Sequence, residues 1–269
     1  MSSDSMLIVT DKNGIRTIKL NNPRKLNAFT PEMMAGLEEN LKQATNDDKV
    51  TGVIITGTGR YYSAGVDFSG TIQPMWPSDL KAHIRKSNYD LFNNFLSFPK
   101  PLIMALNGPA VGASATSSRL SDVIVAVELA SFNTPFAKLG LVPEGCSSYT
   151  FPKLLGEELA SKVLKGKILS SEEAHACGFI EYVVPDESLM ERAQEVAEEY
   201  VASGKPKRWA EELDILKKTN EKESIALANA IMDVPFMSRQ MKNAWKKGSY
   251  APVAIFGLMR LTRPVWSRL

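Results

Sequence analysis

Residues 100–113 read KPLIMALNGPAVGA, and they give the clearest indication of how this 269-residue chain folds. Their first part, 102–106, is an unbroken apolar run, which is typical of a strand that is buried on both faces of a sheet. Asn107-Gly108-Pro109 then turns the chain, and the small residues after Gly112 have helical potential. The stretch therefore predicts a buried strand that leads through a glycine turn into a helix.

The same alternation of strand and helix continues towards both ends of the chain. Short apolar runs at 53–56 and 123–126 predict two more buried strands. Apolar residues at helical spacing predict helices over 31–43 and 78–98. This order of elements is typical of a mixed α/β core.

The ends of the chain complete this prediction. Two alternating segments around residues 11–14 predict a hairpin, and a capping box at Ser170 and Glu173 begins a short helix. Residues 179–184 are strand-like, and 186–202 and most of the remaining chain favour helix. We therefore expect two units, an α/β core over residues 1–200 and a helical C-terminal module over residues 201–269.

The composition argues against several classes of function. Lys and Arg number 32 against 30 Asp and Glu, so a net charge of +2 offers no general field for nucleic acid. The longest apolar run near the C-terminus, 251–259, is far shorter than the ~20 residues needed to cross a bilayer. We expect a soluble protein that binds neither nucleic acid nor membrane.

The residues that most often hold metals are few and scattered. Cys146, Cys177, His83 and His175 have none of the spacings of a metal site, so no metal is predicted. Cysteines in a chain of this length, without a secretory signal, indicate reduced thiols. Cys146 has no base beside it in the sequence, and we interpret it as a small buried hydrophobic residue.

The common nucleotide and hydrolase motifs are missing. Residues 57–62 read GTGRYY, with tyrosine at the position where a dinucleotide-binding fingerprint has its third glycine. The sequence has no G-x-x-x-x-G-K-[ST] loop and no G-x-S-x-G nucleophile elbow. Two short turns remain, 63–67 and 107–113, which could offer free backbone N–H groups or be ordinary connections.

Taken together, four separated segments resemble the crotonase superfamily of coenzyme-A-dependent enzymes. They are 21–28, 62–68, 100–113 and 132–147, and the resemblance covers roughly residues 6 to 200. Each segment is a weak signal by itself, but their common order makes chance agreement improbable. The resemblance implies a spiral of ββα units followed by helices that assemble trimers, either as a homotrimer or as a dimer of trimers.

The resemblance also implies an acyl-CoA site. It places an oxyanion hole at the backbone N–H groups of Val66 and Ala113, where negative charge on a thioester oxygen would be stabilised. Coenzyme A is then part of the substrate, and no separate cofactor is expected. The residues expected to contact the substrate are Lys25, Leu26, Ala28, Ser63, Ala64, Gly65, Asp67, Phe68, Gly112 and Leu141.

The acidic residues distinguish between members of the family. Enoyl-CoA hydratases of this superfamily use two glutamates, and by position those sites hold Thr116 and Phe136 here, neither of which can exchange protons near neutrality. Glu144 instead matches the single catalytic glutamate of Δ3,Δ2-enoyl-CoA isomerases, and the surrounding segment is especially similar to the peroxisomal isomerases. Some of those carry an N-terminal acyl-CoA-binding domain, and none is expected before Met6.

Our hypothesis is therefore an isomerase in which Glu144 carries a proton from C2 to C4 of a 3-enoyl-CoA. Ser267-Arg268-Leu269 resembles the Ser-Lys-Leu peroxisomal address, which predicts recognition by the import receptor and a location in the peroxisomal matrix. The alternatives are another acyl-CoA enzyme of the superfamily, a hydratase or thioesterase, and a scaffold that binds acyl-CoA or protein partners without turnover.

Overall fold

Two sheets form the centre of the computed structural model, which describes residues 5–68, 75–246, 248 and 250–266. The described strands are β1 Leu7–Lys12, β2 Ile15–Leu20, β3 Gly52–Gly57, β4 Leu102–Leu106, β5 Ala110–Val111, β6 Val123–Val127, β7 Ser131–Asn133, β8 Leu169–Ser170 and β9 Tyr182–Val184. The described α-helices are α1 Pro31–Asn46, α2 Pro77–Ser97, α3 Ala113–Ser118, α4 Phe136–Leu139, α5 Ser147–Leu164, α6 Ser171–Ala176, α7 Leu189–Ser203, α8 Leu213–Ile231, α9 Val234–Lys246 and α10 Tyr250–Trp266.

The larger sheet has six strands in the order β1, β2, β3, β4, β6, β9. β1 and β2 form the predicted hairpin, and the later neighbours in this sheet are all parallel. Asn13 and Gly14 at the hairpin turn both have positive φ, as two-residue hairpin turns of this kind require. Parallel strands end at a common edge, so the turns after β3 and β4 lie side by side.

The three apolar runs of the sequence form the middle of this sheet. All residues of β3, β4 and β6 are buried, which explains why these runs show no polar alternation. Helix α7 packs against β2, β3, β4 and β6, and α1 packs against the hairpin. The predicted strands at 53–56, 102–106 and 123–126 are confirmed.

The two long helices of the N-terminal half are also confirmed. α1 begins after Thr30, whose side-chain oxygen accepts a hydrogen bond from the Met33 nitrogen at 3.2 Å, and it continues three residues beyond the predicted end, to Asn46. α2 ends shortly before Pro99, because a proline disfavours helical backbone in the residue before it. Both helices bury the apolar face that the spacing predicts.

The predicted strand at 179–184 is shorter in the structure. Only Tyr182–Val184 pairs with β6, because the backbone N–H groups of Phe179 and Ile180 instead donate to the Ala174 oxygen, at 2.8 and 3.2 Å. These bonds close the C-terminal end of α6, which begins at the predicted capping box. The side chains of Phe179 and Ile180 are buried in the core.

A second, small sheet has the order β5, β7, β8, and the sequence did not predict it. Its strands have two or three residues, too few for a periodic pattern to emerge. Helix α5 was missed as well, because Pro152 and the non-helical Gly156 interrupt its pattern. The small sheet supports the second glycine turn, since the Gly112 nitrogen donates to the Asn133 oxygen at 2.8 Å.

Helices from the C-terminal third pack directly against α2. α8 runs along α2, and α9 and α10 pack on each other beside them. A second cluster of buried apolar residues joins these helices, with Ile84 from α2, Ile231 from α8 and Phe236 from α9. No helix in the described part of the chain is long and apolar enough to span a membrane.

Candidate active site

Two asparagine side chains form hydrogen bonds with the turn that follows β3. The Asn107 side chain accepts a hydrogen bond from the Gly57 nitrogen at 2.9 Å and donates to the Gly59 oxygen at 2.7 Å. The buried Asn27 side chain donates to the Thr58 oxygen at 2.8 Å. The turns after β3 and β4 are therefore fixed to each other by side-chain bonds as well as by the sheet.

The two predicted turn segments are in direct contact. The Val111 nitrogen donates to the Ser63 oxygen at 3.1 Å, and the Ser114 hydroxyl donates to the same oxygen at 2.9 Å. Gly65 has a φ of +79°, and a β-carbon built on it would lie 2.4 Å from the Val111 oxygen and 3.6 Å from the Ala113 nitrogen. Glycine is therefore required at position 65 for the two turns to approach this closely.

The backbone N–H groups of Val66 and Ala113 lie on these touching turns. Neither group donates to an acceptor within the part of the chain that the structure describes. Ala113 is the first residue of α3, where an N–H group has no partner inside the helix, and Gly112 before it has a φ of +59°. Free N–H groups beside a helix start favour a negatively charged oxygen.

The segment with Lys25, Leu26 and Ala28 lies against the first turn. The Ala64 nitrogen donates to the Leu26 oxygen at 2.9 Å, and the exposed Lys25 ammonium lies 3.3 Å from the Asp67 carboxylate. Ala28 is buried. The structure thus brings together ten of the predicted site residues, which are Lys25, Leu26, Ala28, Ser63, Ala64, Gly65, Val66, Asp67, Gly112 and Ala113.

A largely apolar cavity of about 40 Å³, partly open to solvent, lies next to the first turn. Val66 and Phe68 form its side towards the turn, and α2 and α8 form much of the remainder. The described residues that line it are Met34, Val66, Phe68, Ile84, Ser87, Asn88, Leu91, Glu144, Leu227 and Ile231. We call this space the apolar cavity.

Glu144 supplies the carboxylate of the apolar cavity. Its side chain is 6% exposed, and its Oε2 accepts a hydrogen bond from Asn88 Nδ2 at 2.7 Å. Burial raises the pKa of Glu144 to about 8, the negative charge of Glu223 adds to this increase, and the Asn88 bond opposes it. The group can therefore both accept and return a proton near neutral pH.

Asn88 was not predicted from the sequence, yet it sets the direction of the Glu144 carboxylate. The Ser224 hydroxyl donates to Asn88 Oδ1 at 2.8 Å, which leaves the Asn88 NH₂ group to face Glu144. A signal was present, because Asn88 occupies the apolar spacing of α2 between Ile84 and Leu91. A polar residue on a buried face needs a partner.

Phe68 and Leu141 have different positions relative to the apolar cavity. Phe68 lines it, with its ring centroid 5.6 Å from that of Phe236. Leu141 does not line it among the described residues and is instead buried in the neighbouring apolar cluster. That cluster also contains Ile84, Leu227 and Ile231, which line the cavity, so the substrate contact of Leu141 stays a prediction.

Thr116 and Phe136 occupy the two positions where the resemblance would place the hydratase glutamates. Both are buried, and the Thr116 hydroxyl donates to the Ala113 oxygen at 3.2 Å. A β-carbon built on Gly145 would lie 2.6 Å from Thr116 Oγ1, so the loop that carries Glu144 packs closely on α3. Neither Thr116 nor Phe136 supplies a carboxylate to this site.

Cys146 follows Glu144 by two residues and is fully buried. Its Sγ lies 3.3 Å from the Leu216 oxygen, and burial raises the pKa of its thiol above the usual value. A buried neutral thiol is a poor nucleophile, which agrees with a packing role. The described residues contain no group of three or more His, Cys, Asp or Glu side chains arranged to hold a metal.

Comparison with known proteins gives the family. The family profile described as enoyl-CoA hydratase/isomerase matches residues 10–251. The chain is an enzyme of the enoyl-CoA hydratase/isomerase family, and the resemblance to the crotonase superfamily is confirmed. The solved structure of an enoyl-CoA hydratase/isomerase from Pseudoalteromonas atlantica is 26% identical, with a TM-score of 0.77 over 90% of this chain and 97% of that one. The predicted fold class is confirmed by this similarity.

Two animal proteins are more similar in sequence. Enoyl-CoA delta isomerase 2 from Homo sapiens is 43% identical over 68% of this chain, and enoyl-CoA delta isomerase 3, peroxisomal, from Mus musculus is 39% identical over 68%. The chain spans 47% and 58% of the length of these two relatives. It thus corresponds to about half of each.

Proposed function

We propose that the protein is a Δ3,Δ2-enoyl-CoA isomerase, which converts a 3-enoyl-CoA to trans-2-enoyl-CoA in the β-oxidation of unsaturated fatty acids. The proposal rests on one observation. Among the described residues that line the apolar cavity, the acidic side chain is the buried Glu144, which accepts a hydrogen bond from Asn88. A shift of a double bond by one position needs one base that accepts and returns a proton. Two relatives named as enoyl-CoA delta isomerases support the same choice.

The proposed reaction begins with ionised Glu144 and an acyl-CoA in the apolar cavity. Glu144 removes a proton from C2, the electron pair moves towards the thioester oxygen, and the resulting dienolate is stabilised by the N–H groups of Val66 and Ala113. The dienolate then takes the proton back from Glu144 at C4, which leaves the double bond between C2 and C3. No atom is gained or lost, and Glu144 returns to its ionised form.

Asn88 has a defined part in this proposal. Its NH₂ group holds Glu144 Oε2, so that Oε1 is the oxygen available for the substrate proton. The same bond stabilises the ionised form of Glu144 and offsets part of the penalty of burial. Substrate contacts from Lys25, Leu26, Ala28, Ser63, Ala64, Gly65, Asp67, Phe68, Gly112 and Leu141 belong to the proposal.

The alternatives fit the site less well. A hydratase needs two carboxylates, one to activate water and one to deliver a proton, and Thr116 and Phe136 stand at the two family positions. A thioesterase would need a water-activating group close to the thioester carbon. A scaffold without turnover would have no use for Glu144, whose buried carboxylate costs stability when it is ionised.

Product analysis with the wild-type protein tests the proposal. The folded protein is mixed in turn with a 3-enoyl-CoA, a 2-enoyl-CoA and a saturated acyl-CoA, and products are measured by ultraviolet absorbance and chromatography. We expect conjugated 2-enoyl-CoA from the first substrate, partial return to 3-enoyl-CoA from the second, and no reaction with the saturated acyl-CoA. Formation of 3-hydroxyacyl-CoA or free coenzyme A would instead assign a hydratase or thioesterase, and binding without product would assign a scaffold.

We also propose a location in the peroxisomal matrix. Ser267-Arg268-Leu269, which lies outside the described residues, would resemble the Ser-Lys-Leu peroxisomal address if Leu269 ends the protein, and one relative is named as peroxisomal. The import receptor would then be a partner. A fluorescent fusion at the N-terminus should lose peroxisomal import when these three residues are deleted, and unchanged import would contradict the proposal.

Assembly as a homotrimer, or as a dimer of trimers, is a further part of the proposal. Leu258 and Leu261 on α10 are 64% and 80% exposed, and Trp245 is 65% exposed at the end of α9. Large apolar side chains exposed on neighbouring helices are typical of a surface that other subunits cover.

A further inference from the structure

The buried Glu223 on α8 has no part in the proposed reaction. Its side chain is 6% exposed, and its two oxygens accept hydrogen bonds from the backbone nitrogens of Cys146, at 2.6 Å, and Ser148, at 2.8 Å. A buried carboxylate is costly unless it is fully bonded, and both Glu223 oxygens are bonded here. Its partners, Cys146 and Ser148, lie two and four residues after Glu144, which indicates the role of Glu223.

The loop between Glu144 and α5 has an unusual backbone. Gly145 and Cys146 both have positive φ, at 65° and 62°. A residue with a side chain rarely adopts this conformation unless its surroundings enforce it. The Glu223 bond to the Cys146 nitrogen and the contact of Cys146 Sγ with the Leu216 oxygen both enforce it from α8.

The next residue of α8 holds the other side of the site. Ser224 donates to Asn88 Oδ1 at 2.8 Å, and Asn88 in turn donates to Glu144. Adjacent residues of one helix therefore fix both the loop that carries the base and the amide that orients it. A single rigid element sets the relative position of Glu144 and Asn88.

We propose that Glu223 is a positioning residue, whose carboxylate fixes residues 145–148 so that the Glu144 side chain faces the apolar cavity next to Asn88. The inference rests on the proposed function, because it assigns Glu223 a part in the work of the catalytic base. It also explains why a carboxylate occupies this buried site, since both of its oxygens are needed for two backbone donors. A neutral amide would offer a single acceptor oxygen.

The electrostatic environment agrees with this geometry. Burial is the largest cause of the raised pKa of both Glu144 and the Cys146 thiol, and the negative charge of Glu223 adds to the increase at each. Burial raises the pKa of Glu223, and its bonds to Ser148 and Cys146 oppose that increase. Removal of the Glu223 charge should therefore lower the pKa of Glu144, because a like charge nearby disfavours ionisation.

The test compares Glu223→Gln and Glu223→Asp with the wild-type protein. Glu221→Gln is the matched control, since Glu221 lies on the same helix but pairs with Arg85 at the surface. Each variant is first checked for folding by circular dichroism and thermal unfolding. Isomerase kcat and KM are then measured, and the titration of Glu144 is followed by carbon-13 NMR in substrate-free protein, with Glu144→Gln to assign its signal.

For Glu223→Gln we expect kcat to fall about tenfold or more, with KM within about twofold of wild type, because a displaced base affects the chemical step more than binding. The pKa of Glu144 should fall in the same variant. Glu223→Asp keeps the charge but cannot reach both N–H groups, so its kcat should also fall while the Glu144 pKa stays near that of wild type. Glu221→Gln should behave as wild type.

A purely structural role would give a different result. If folded Glu223→Gln were less stable but kept wild-type kcat and an unchanged Glu144 pKa, the inference would be overturned. If Glu223→Gln did not fold, Glu223→Asp would decide, and wild-type kcat in that variant would contradict the inference. If the wild-type protein did not isomerise 3-enoyl-CoA, the proposed function would fail, and the Glu144 titration would still test whether Glu223 acts on Glu144.

Discussion

At the scale of single residues, Glu144 is under two opposing demands. Its surroundings stabilise the protonated form, whereas the proposed reaction begins with the ionised form, and this conflict governs the chemistry of the residue. Burial in the apolar cavity favours the neutral form, whereas the hydrogen bond from Asn88 favours the ionised form. The resulting pKa of about 8 leaves both forms populated around neutral pH. A proton can then be taken from one carbon and returned to another with little cost in either direction.

This conflict predicts that Glu144→Gln makes the protein more stable in alkaline solution. The ordinary pKa of the group is 4.5 and its folded value is about 8, so between these values the folded state binds more protons than the unfolded state. The contribution of Glu144 to stability is therefore full below pH 4.5 and is lost as the pH rises through 8. Glutamine stays neutral, so the variant should gain roughly 2–4 kcal/mol over wild type at pH 9.

Urea unfolding of both proteins at pH 5, 7 and 9 measures this gain. It should be smallest at pH 5 and largest at pH 9. Glu157→Gln, at an exposed glutamate, serves as the control and should change stability little at any pH. A gain for Glu144→Gln that did not depend on pH would show that burial does not raise the pKa of Glu144.

The sequence could predict some residues of the site and not others. Glu144, Val66 and Ala113 belong to short segments whose order along the chain carries information. Asn88 and Glu223 reach the site from α2 and α8, and their relation to Glu144 exists only once those helices pack. Local sequence patterns carry no information about such long-range contacts. A polar residue on a buried helix face does indicate that a hydrogen-bond partner lies elsewhere in the chain.

At the scale of elements, the two glycine turns depend on each other. β3 and β4 end at the same edge, and the short sheet of β5, β7 and β8 holds the second turn from its other side. Gly65 is a point of close approach between the turns. The relative position of the free N–H groups of Val66 and Ala113 therefore depends on both turns.

We predict that Gly65→Ala damages catalysis and stability together. A β-carbon at position 65 would lie 2.4 Å from the Val111 oxygen, so the two turns must separate. Loss of an oxyanion donor typically lowers kcat by about 10²–10³-fold, and we expect a decrease of that size. Steady-state kinetics and urea unfolding measure the two effects.

The matched control is Gly178→Ala. Gly178 also has positive φ, at 73°, but a β-carbon there would meet nothing within 4 Å. It should lose about 1–2 kcal/mol from backbone strain alone and keep wild-type kcat. Equal kcat in the two variants would mean that contact between the turns does not maintain the oxyanion hole.

The sequence predicted the elements that have length and a period. Helices α1, α2 and α7 are long enough to show one, and the central strands are instead unbroken apolar runs. The small sheet and the interrupted helix α5 are too short or too irregular for this, and tertiary packing decides their conformation. The part of the fold that sequence predicts least is thus the part that supports the second turn.

For the whole molecule, the C-terminal helices have two surfaces with different surroundings. α8 faces the apolar cavity with Leu227 and Ile231, whereas α9 and α10 expose Trp245, Leu258 and Leu261. The inner surface explains why the helices after residue 200 pack on the site. The outer surface is the one that we propose other subunits cover, and the division of the chain at residue 200 stays a prediction.

We predict that Leu261→Glu prevents assembly. The wild-type protein should have about three or six times the mass of one chain by light scattering, and the variant should shift towards the monomer because a buried charge opposes an apolar interface. Leu129→Glu is the matched control, since Leu129 is 86% exposed in a turn outside these helices. A monomeric wild-type protein, or an unchanged mass for Leu261→Glu, would contradict the proposed assembly surface.

Glu144 is proposed to carry the proton in the isomerisation of 3-enoyl-CoA, and the whole mechanism depends on this role. The initial rate of 2-enoyl-CoA formation by wild type and Glu144→Gln tests it, followed by ultraviolet absorbance at pH 8 with both proteins shown to be folded. We predict rapid conversion by wild type and a decrease in kcat of about 10³-fold or more in the variant, since glutamine cannot accept the proton. A folded Glu144→Gln protein that kept the wild-type rate would contradict this role of Glu144.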